Sequence, residues 1–282
     1  MKDNKKHKKA EYGILITGLI ILLAATFVTA LCAGQYSVSV PEVTKILASR
    51  FVNVTKTWSN TAEGVVFTLR LPRIIGAVLV GSALSLSGAA YQGVFKNPLV
   101  APDLLGVSSG ACVGASVAIL LHLNSFGVQA MAFVAGILAV GLTLFIPRLI
   151  KNTNMTMLVL SGIIVKGIMD SVMGIIKYVA DPETELQSIT YWQLGSLTKV
   201  LPKDLFTVGP VIVAASVIIF LLRWRINILS LGDREAKTLG VSVTVVRNFI
   251  IICATLLTAS AVCISGTIGS VSYTHLTLPT KL

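Results

Sequence analysis

The chain is short of charge. Aspartate, glutamate, lysine and arginine make up 12% of its 282 residues, about half the share of a soluble domain, and that excludes an ordinary water-facing globule. Histidine is scarce too: only His7, His122 and His275 occur, and no H-E-x-x-H pattern exists. No G-x-x-x-x-G-K-[ST] phosphate loop is present, so ATP hydrolysis would have to reside on another chain. The four cysteines, Cys32, Cys112, Cys253 and Cys263, lack metal-ligand spacing and read as small apolar packing residues, so no metal site is expected. Residues 106–110 fit the letters G-x-S-x-G. A nucleophile elbow needs a strand before the turn and a partner histidine, and here the turn follows a proline-broken loop and enters an apolar run.

What the chain has is apolar length. Hydrophobic residues are 54% of it, and seven blocks are long enough to cross a bilayer: 12–34, 74–95, 104–121, 128–146, 155–177, 205–222 and 245–265. A span needs about 20 apolar residues, and the blocks are too continuous for barrel strands, which alternate. The fold class is therefore an all-α, polytopic transmembrane helical bundle. The net charge of +11 need not imply nucleic acid. Lys2, Lys5, Lys6, Lys8 and Lys9 precede the first block, which puts a basic segment, residues 1–11, in the cytoplasm. Alternating from there, Lys96, Arg148, Lys151, Arg223, Arg225, Arg234, Lys237 and Arg247 fall on the same side.

Three stretches carry candidate function. The first is residues 69–114, where Arg70 and Arg73 flank Pro72 at the mouth of the second block. Arginine forks bind carboxylates, which favours docking on an acidic partner; the alternative is that the pair anchors the chain by snorkelling to headgroups. Gly81 and Gly88 follow, then a break at Asn97-Pro98, then Gly106, Gly110 and Gly114 at four-residue spacing. Glycines so spaced share one helix face and permit close packing, while Asn97, Pro98 and Gly106 would shape the turn. The second stretch is the fifth block, which carries Lys166 and Asp170 near its middle. Four residues apart, they can pair on one helix face. They read either as a self-neutralising pair or as the lining of a translocation path. The third is 229–241, which reads as two short helices broken by glycines.

The wording of these stretches closely resembles the FecCD family, the permease subunits of ABC importers for iron–siderophore complexes, haem and vitamin B12. The resemblance rests on LRLPR, on Gly81, Leu84, Gly88 and Gln92, on NPLxxPxxLGVSxGA, and on Leu231, Gly232, Ala236, Leu239 and Gly240 in the pattern LGxxxAxxLGV. It covers about residues 12–269, the permease domain. It implies a cytoplasmic-membrane permease that binds no cofactor itself and pairs with a second copy or a paralogue. ATP would sit on cytoplasmic ATPase subunits docked at Leu231, Gly232, Ala236, Leu239 and Gly240, and an extracytoplasmic binding protein would meet Arg70 and Arg73. Membrane lipid would surround the whole, with no nucleic acid involved. The family fold has ten spans against the seven here, and residues 270–282 depart from the family pattern, so the domain is expected to be incomplete. An ion-coupled secondary transporter using Lys166 and Asp170 stays open beside this reading, as does a non-functional permease fragment.

Overall fold

A computed structural model describes residues 2–53, 55–98, 100–152 and 154–269, with side chains from Glu11 onward. The departing tail at 270–282 lies outside the described residues. Twelve α-helices are formed among them, and no strand. The chain divides into two compact units, 1–76 and 77–282.

The first unit opens with α1 (Lys2–Cys32), whose apolar part from Glu11 onward is long enough to cross a membrane. A short amphipathic helix, α2 (Val40–Ala48), follows with Pro41 in its first turn, where a missing N–H costs nothing. Its buried Val43 and Ile46 join Leu31, Val38, Trp58, Ala62 and Val66 in a small apolar core. The next helical stretch begins earlier than the apolar pattern predicts. Helix α3 (Asn60–Gly64) is capped by the Ser59 hydroxyl, which accepts from Ala62 N–H at 3.0 Å, and it runs through a π-helical segment, Val65–Arg70, into α4 (Leu71–Phe95). Pro72 has no N–H to donate to Thr68, and its ring would crowd that carbonyl. A widened turn just before it lets the helix continue instead of ending.

The second unit begins within α4 and holds the main core. Helix α4 ends at Phe95, and Lys96 takes a left-handed φ of 53°. The chain then turns back along its own helix until Pro102 lies against Gly88, 3.6 Å from where a Cβ would stand. Gly88 precedes the helix end by seven residues, so the return rises about 10 Å. A 3-10 turn, Pro102–Leu105, and Gly106 at φ 79° lead into α5 (Val107–Leu120). With 14 residues, α5 is about 21 Å long, short of the bilayer's apolar core of about 30 Å. The third block thus opens irregularly: Gly106 bends the backbone where a straight helix is expected from residue 104, and the helix begins only at Val107.

Helices α6 (Ser125–Leu149), α7 (Met155–Val179), α9 (Pro202–Leu221) and α12 (Val243–Ser265) complete the bundle, with α8 (Glu185–Leu194) joining α7 to α9. Six helical segments are long and apolar enough to cross a membrane among the described residues, and α5 is a shorter apolar helix. This is a multi-pass membrane fold. Helix α12 is its spine, buried almost continuously from Ile250 to Ser265 against α9, α6 and α5. Its alanines let neighbours approach, and two of its buried hydroxyls are spent locally, with Thr258 donating to Ala254 O at 2.9 Å and Ser265 to Ala261 O at 2.8 Å, while that of Ser260 has no partner among the described residues. Tyr91 of α4 meets Thr255 through their hydroxyls at 3.0 Å.

The predicted glycine packing divides. A Cβ on Gly110 would stand 2.5 Å from Ala139 Cβ and 2.8 Å from Ala135 O, and one on Gly114 would strike Met131 O. These two glycines let α5 and α6 touch backbone to backbone. Gly88 makes ordinary contact with Pro102, while a Cβ on Gly81 would meet nothing within 4 Å. Gly81 faces outward from the chain, so the close approach expected there is not made within it.

Candidate functional site

The predicted residues fall at three stations: one end of α4, the middle of α7, and the segment between α9 and α12.

At the first station Arg70 is occupied. Its guanidinium donates to Tyr36 O beyond α1, and to Leu31 O at 2.7 Å and Cys32 O at 3.2 Å, the carbonyls at the end of α1. Those carbonyls carry the partial negative charge of a helix C-terminus and have no partners within the helix. Gly34, at φ 152°, passes so close that a Cβ there would strike the guanidinium. Arg73 has no hydrogen-bond or ion-pair partner among the described residues and lines a cleft of about 460 Å³ with Gln35, Tyr36 and Leu69. The sequence pairs these two arginines; the structure gives them different work.

At the second station Lys166 does not pair with Asp170. Its ammonium meets Asp103 Oδ2 at 3.3 Å, across from α7 to the 3-10 turn. The i,i+4 pairing loses because the turn brings a carboxylate against α7. Leu104 O occupies the space that a Cβ on Gly162 would need, and Gly106 packs on the Lys166 backbone, whose N would lie 3.6 Å from a Cβ there. The turn's own polar groups are met: Leu104 N–H donates to Ala101 O, Gly106 N–H to Asp103 O at 2.9 Å, and the Thr143 hydroxyl to Leu105 O at 3.0 Å. Asp103 Oδ1 takes the Ser108 N–H at 3.0 Å. Irregular backbone at membrane depth requires such satisfaction. The sequence does not single out Asp103, which falls at an unspecified position of NPLxxPxxLGVSxGA; the proline-broken turn beside it is the available signal.

At the third station α9 is followed by α10 (Arg223–Leu231) and α11 (Asp233–Thr238), two short helices parted by Gly232 at φ 154° and followed by Gly240 at φ 75°. Both glycines adopt backbone that other residues rarely do. Ala236 is fully buried, while Leu231 and Leu239 are 68% and 57% exposed, so two apolar side chains point outward from a cationic segment. Asp233 ties the segment down. Both its oxygens take Arg247 Nη2 at 2.8 Å, and Oδ1 also takes Lys96 Nζ at 3.0 Å. One carboxylate thus joins α11 to the start of α12 and to the residue after α4. Arg247, and after it Lys96, holds the Asp233 carboxyl below the ordinary carboxylate value. In the sequence Lys96 and Arg247 stand out only as part of a charge bias, and Asp233 carries no motif. An acid directly after a helix-breaking glycine, on a side rich in cations, was the signal. Asn97 and Pro98 are exposed in the turn beside this hub. No group of three or more acidic, histidine or cysteine residues placed to hold a metal occurs among the described residues.

These stations can be set beside known proteins. The profile of the FecCD transport family matches residues 21–272. A molybdate import system permease protein, MolB, of Haemophilus influenzae is 36% identical over 259 residues, covering 92% of this chain and 76% of its own. A Helicobacter pylori protein described as an iron chelatin transport system permease is 39% identical over 205 residues, 73% of this chain and 62% of its own. A solved structure described as an inward-facing conformation of a metal-chelate type ABC transporter superposes with a TM-score of 0.80 at 33% identity, covering 92% of this chain and 78% of that one.

Proposed function

The chain belongs to the FecCD transport family, and from that premise we propose that it is the membrane-spanning permease of an ABC importer for a metal-chelate-type substrate, with an iron–siderophore-type chelate as cargo. Relatives named for iron chelatin and hemin support the cargo, while one named for molybdate marks the competing choice. The energy comes from ATP held by separate ATPase subunits, and the chain pairs with a second permease, identical or paralogous, in the bacterial cytoplasmic membrane.

The observation that carries the mechanism is the third station. A segment with outward Leu231 and Leu239, hinged by Gly232 and Gly240 and pinned to α4 and α12 through Asp233, is what a coupling element needs. It can dock on a partner and pass motion to two membrane helices as one body. Leu231, Gly232, Ala236, Leu239 and Gly240 form this inner handle, on the cytoplasmic side with the basic N-terminus. Arg73 is the free charge of an outer handle, facing acidic groups of an extracytoplasmic binding protein, and Arg70 holds the end of α1 in place beside it. Lys166, with Asp170 on the same exposed face, belongs to the path between.

The test is reconstitution with the neighbouring ATPase and binding-protein genes in proteoliposomes, followed by ATP-dependent uptake of ferric siderophore, haem, cobalamin and molybdate. Uptake of ferric siderophore above the others is expected. Uptake of molybdate alone would overturn the iron assignment. Arg73→Glu is expected to abolish stimulation of ATP hydrolysis by the binding protein while assembly is retained, and unchanged stimulation would reject the docking role.

A further inference from the structure

Lys166 lies eleven residues from the start of α7 and thirteen from its end, about 17 Å and 20 Å from either side. It is therefore at mid-membrane, where charge is costly and faces protein or water, not lipid. Its side chain is 49% exposed on the surface of this chain and that of its partner Asp103 is 34% exposed. Ile163 and Asp170 are exposed on the same side of α7.

The two partners are held very unequally. Asp103 is held on several sides: its carbonyl takes the Gly106 N–H, its second carboxylate oxygen takes the Ser108 N–H, and Gly162 lets α7 press on the adjacent Leu104 carbonyl. Lys166 has one charged contact, at 3.3 Å, on a flexible four-carbon stem. If the pair parts, the lysine leaves and the carboxylate stays.

We propose that Asp103 is a built-in counter-ion for Lys166 on the wall of the transport path, displaced when an anionic metal chelate or oxyanion takes the lysine. This rests on the reading of α7 as path-lining. With no substrate present the carboxylate neutralises the ammonium and makes the empty path unattractive to small anions. An anion able to engage the ammonium at several oxygens replaces one fixed carboxylate, so the pair favours multidentate anionic cargo over chloride-sized ions.

The experiment needs no identified cargo. In the assembled importer in native membranes, with Cys32, Cys112, Cys253 and Cys263 replaced by alanine, Ile163→Cys places a thiol one helical turn from Lys166. Its labelling rates are measured with two membrane-impermeant methanethiosulfonates, the anionic ethylsulfonate and the cationic ethyltrimethylammonium reagent. Both are expected to react. Asp103→Asn should raise the anionic-to-cationic rate ratio several-fold, Lys166→Gln should lower it, and Lys166→Arg should leave it in place. If both reagents react but neither neutralisation moves the ratio, the counter-ion assignment is overturned while the path reading stands. If neither reagent reacts in any variant, α7 does not face water and the path reading itself falls.

Discussion

Asp233 and Asp103 each bind a cation from a distant part of the chain, yet they are built in opposite ways. Asp233 sits between two hinge glycines on a short helix and is held by three charged contacts from two residues, all at 2.8–3.0 Å. Asp103 sits in rigid backbone and makes one longer ion pair to a mobile lysine. In the first case the acid ties a glycine-flanked segment to two cations. In the second a fixed acid restrains a movable cation. An ion pair therefore serves as a fastener or as a release according to which partner the backbone immobilises, and distance alone does not tell them apart.

The comparison can be broken most severely at Asp233. Asp233→Arg places a third cation beside Arg247, whose side chain is only 16% exposed and whose Nε already has no partner among the described residues. Leaving a fully buried charge uncompensated costs about 3–5 kcal/mol, and the cost here is smaller because the Asp233 side chain is 46% exposed. A lowered unfolding midpoint in detergent is expected, with faster tryptic cleavage at Arg234 and Lys237, and an unchanged midpoint would deny that Asp233 is a fastener.

A milder form uses pH. The Asp233 carboxyl is held below its ordinary value by Arg247 first and Lys96 next, so the folded state favours its ionised form. That stabilisation is complete above the unfolded-state pKa and is lost as pH falls through the lowered folded value. Tryptic cleavage of a fixed, briefly acid-treated sample should rise toward low pH in the parent protein. Asp233→Asn should already be cleaved readily at neutral pH and change little with acid, and parallel profiles would remove Asp233 from the account.

The smallest effect is expected at Asp103. Asp103→Asn keeps an oxygen for the Ser108 N–H and loses only a partly exposed pair, worth under about 1 kcal/mol. The unfolding midpoint should barely move. A loss as large as that of Asp233→Arg would mean that Asp103 is a fastener as well.

How much of this was legible follows from the kind of signal each feature leaves. Apolar length reveals membrane spans directly, and the helical class and most helix positions were readable from it. The two short helices at 229–241 were readable because Gly232 and Gly240 punctuate them. The early start of the second span was hidden, since a π-helical turn before Pro72 leaves no periodic trace. Residue spacing suggested Lys166 with Asp170, because sequence shows neighbours along one helix and not what a returning turn brings across. Gly110 and Gly114 carry no mark in the sequence that sets them apart from Gly81, and only the facing α6 backbone distinguishes them.

Arg70 has one consequence that belongs to biosynthesis. The carbonyls it caps lie 38 and 39 residues earlier in the chain, so α1 leaves the ribosome and enters the membrane before its clasp has been made. Insertion of the first helix must depend on its apolar length and basic flank alone. The arginine then acts as a late check: only when the second hydrophobic segment arrives in the right orientation does its guanidinium reach the waiting helix end. A substitution at Arg70 would accordingly be felt during membrane assembly, in the fraction of chains that acquire the correct topology, before it was felt in transport.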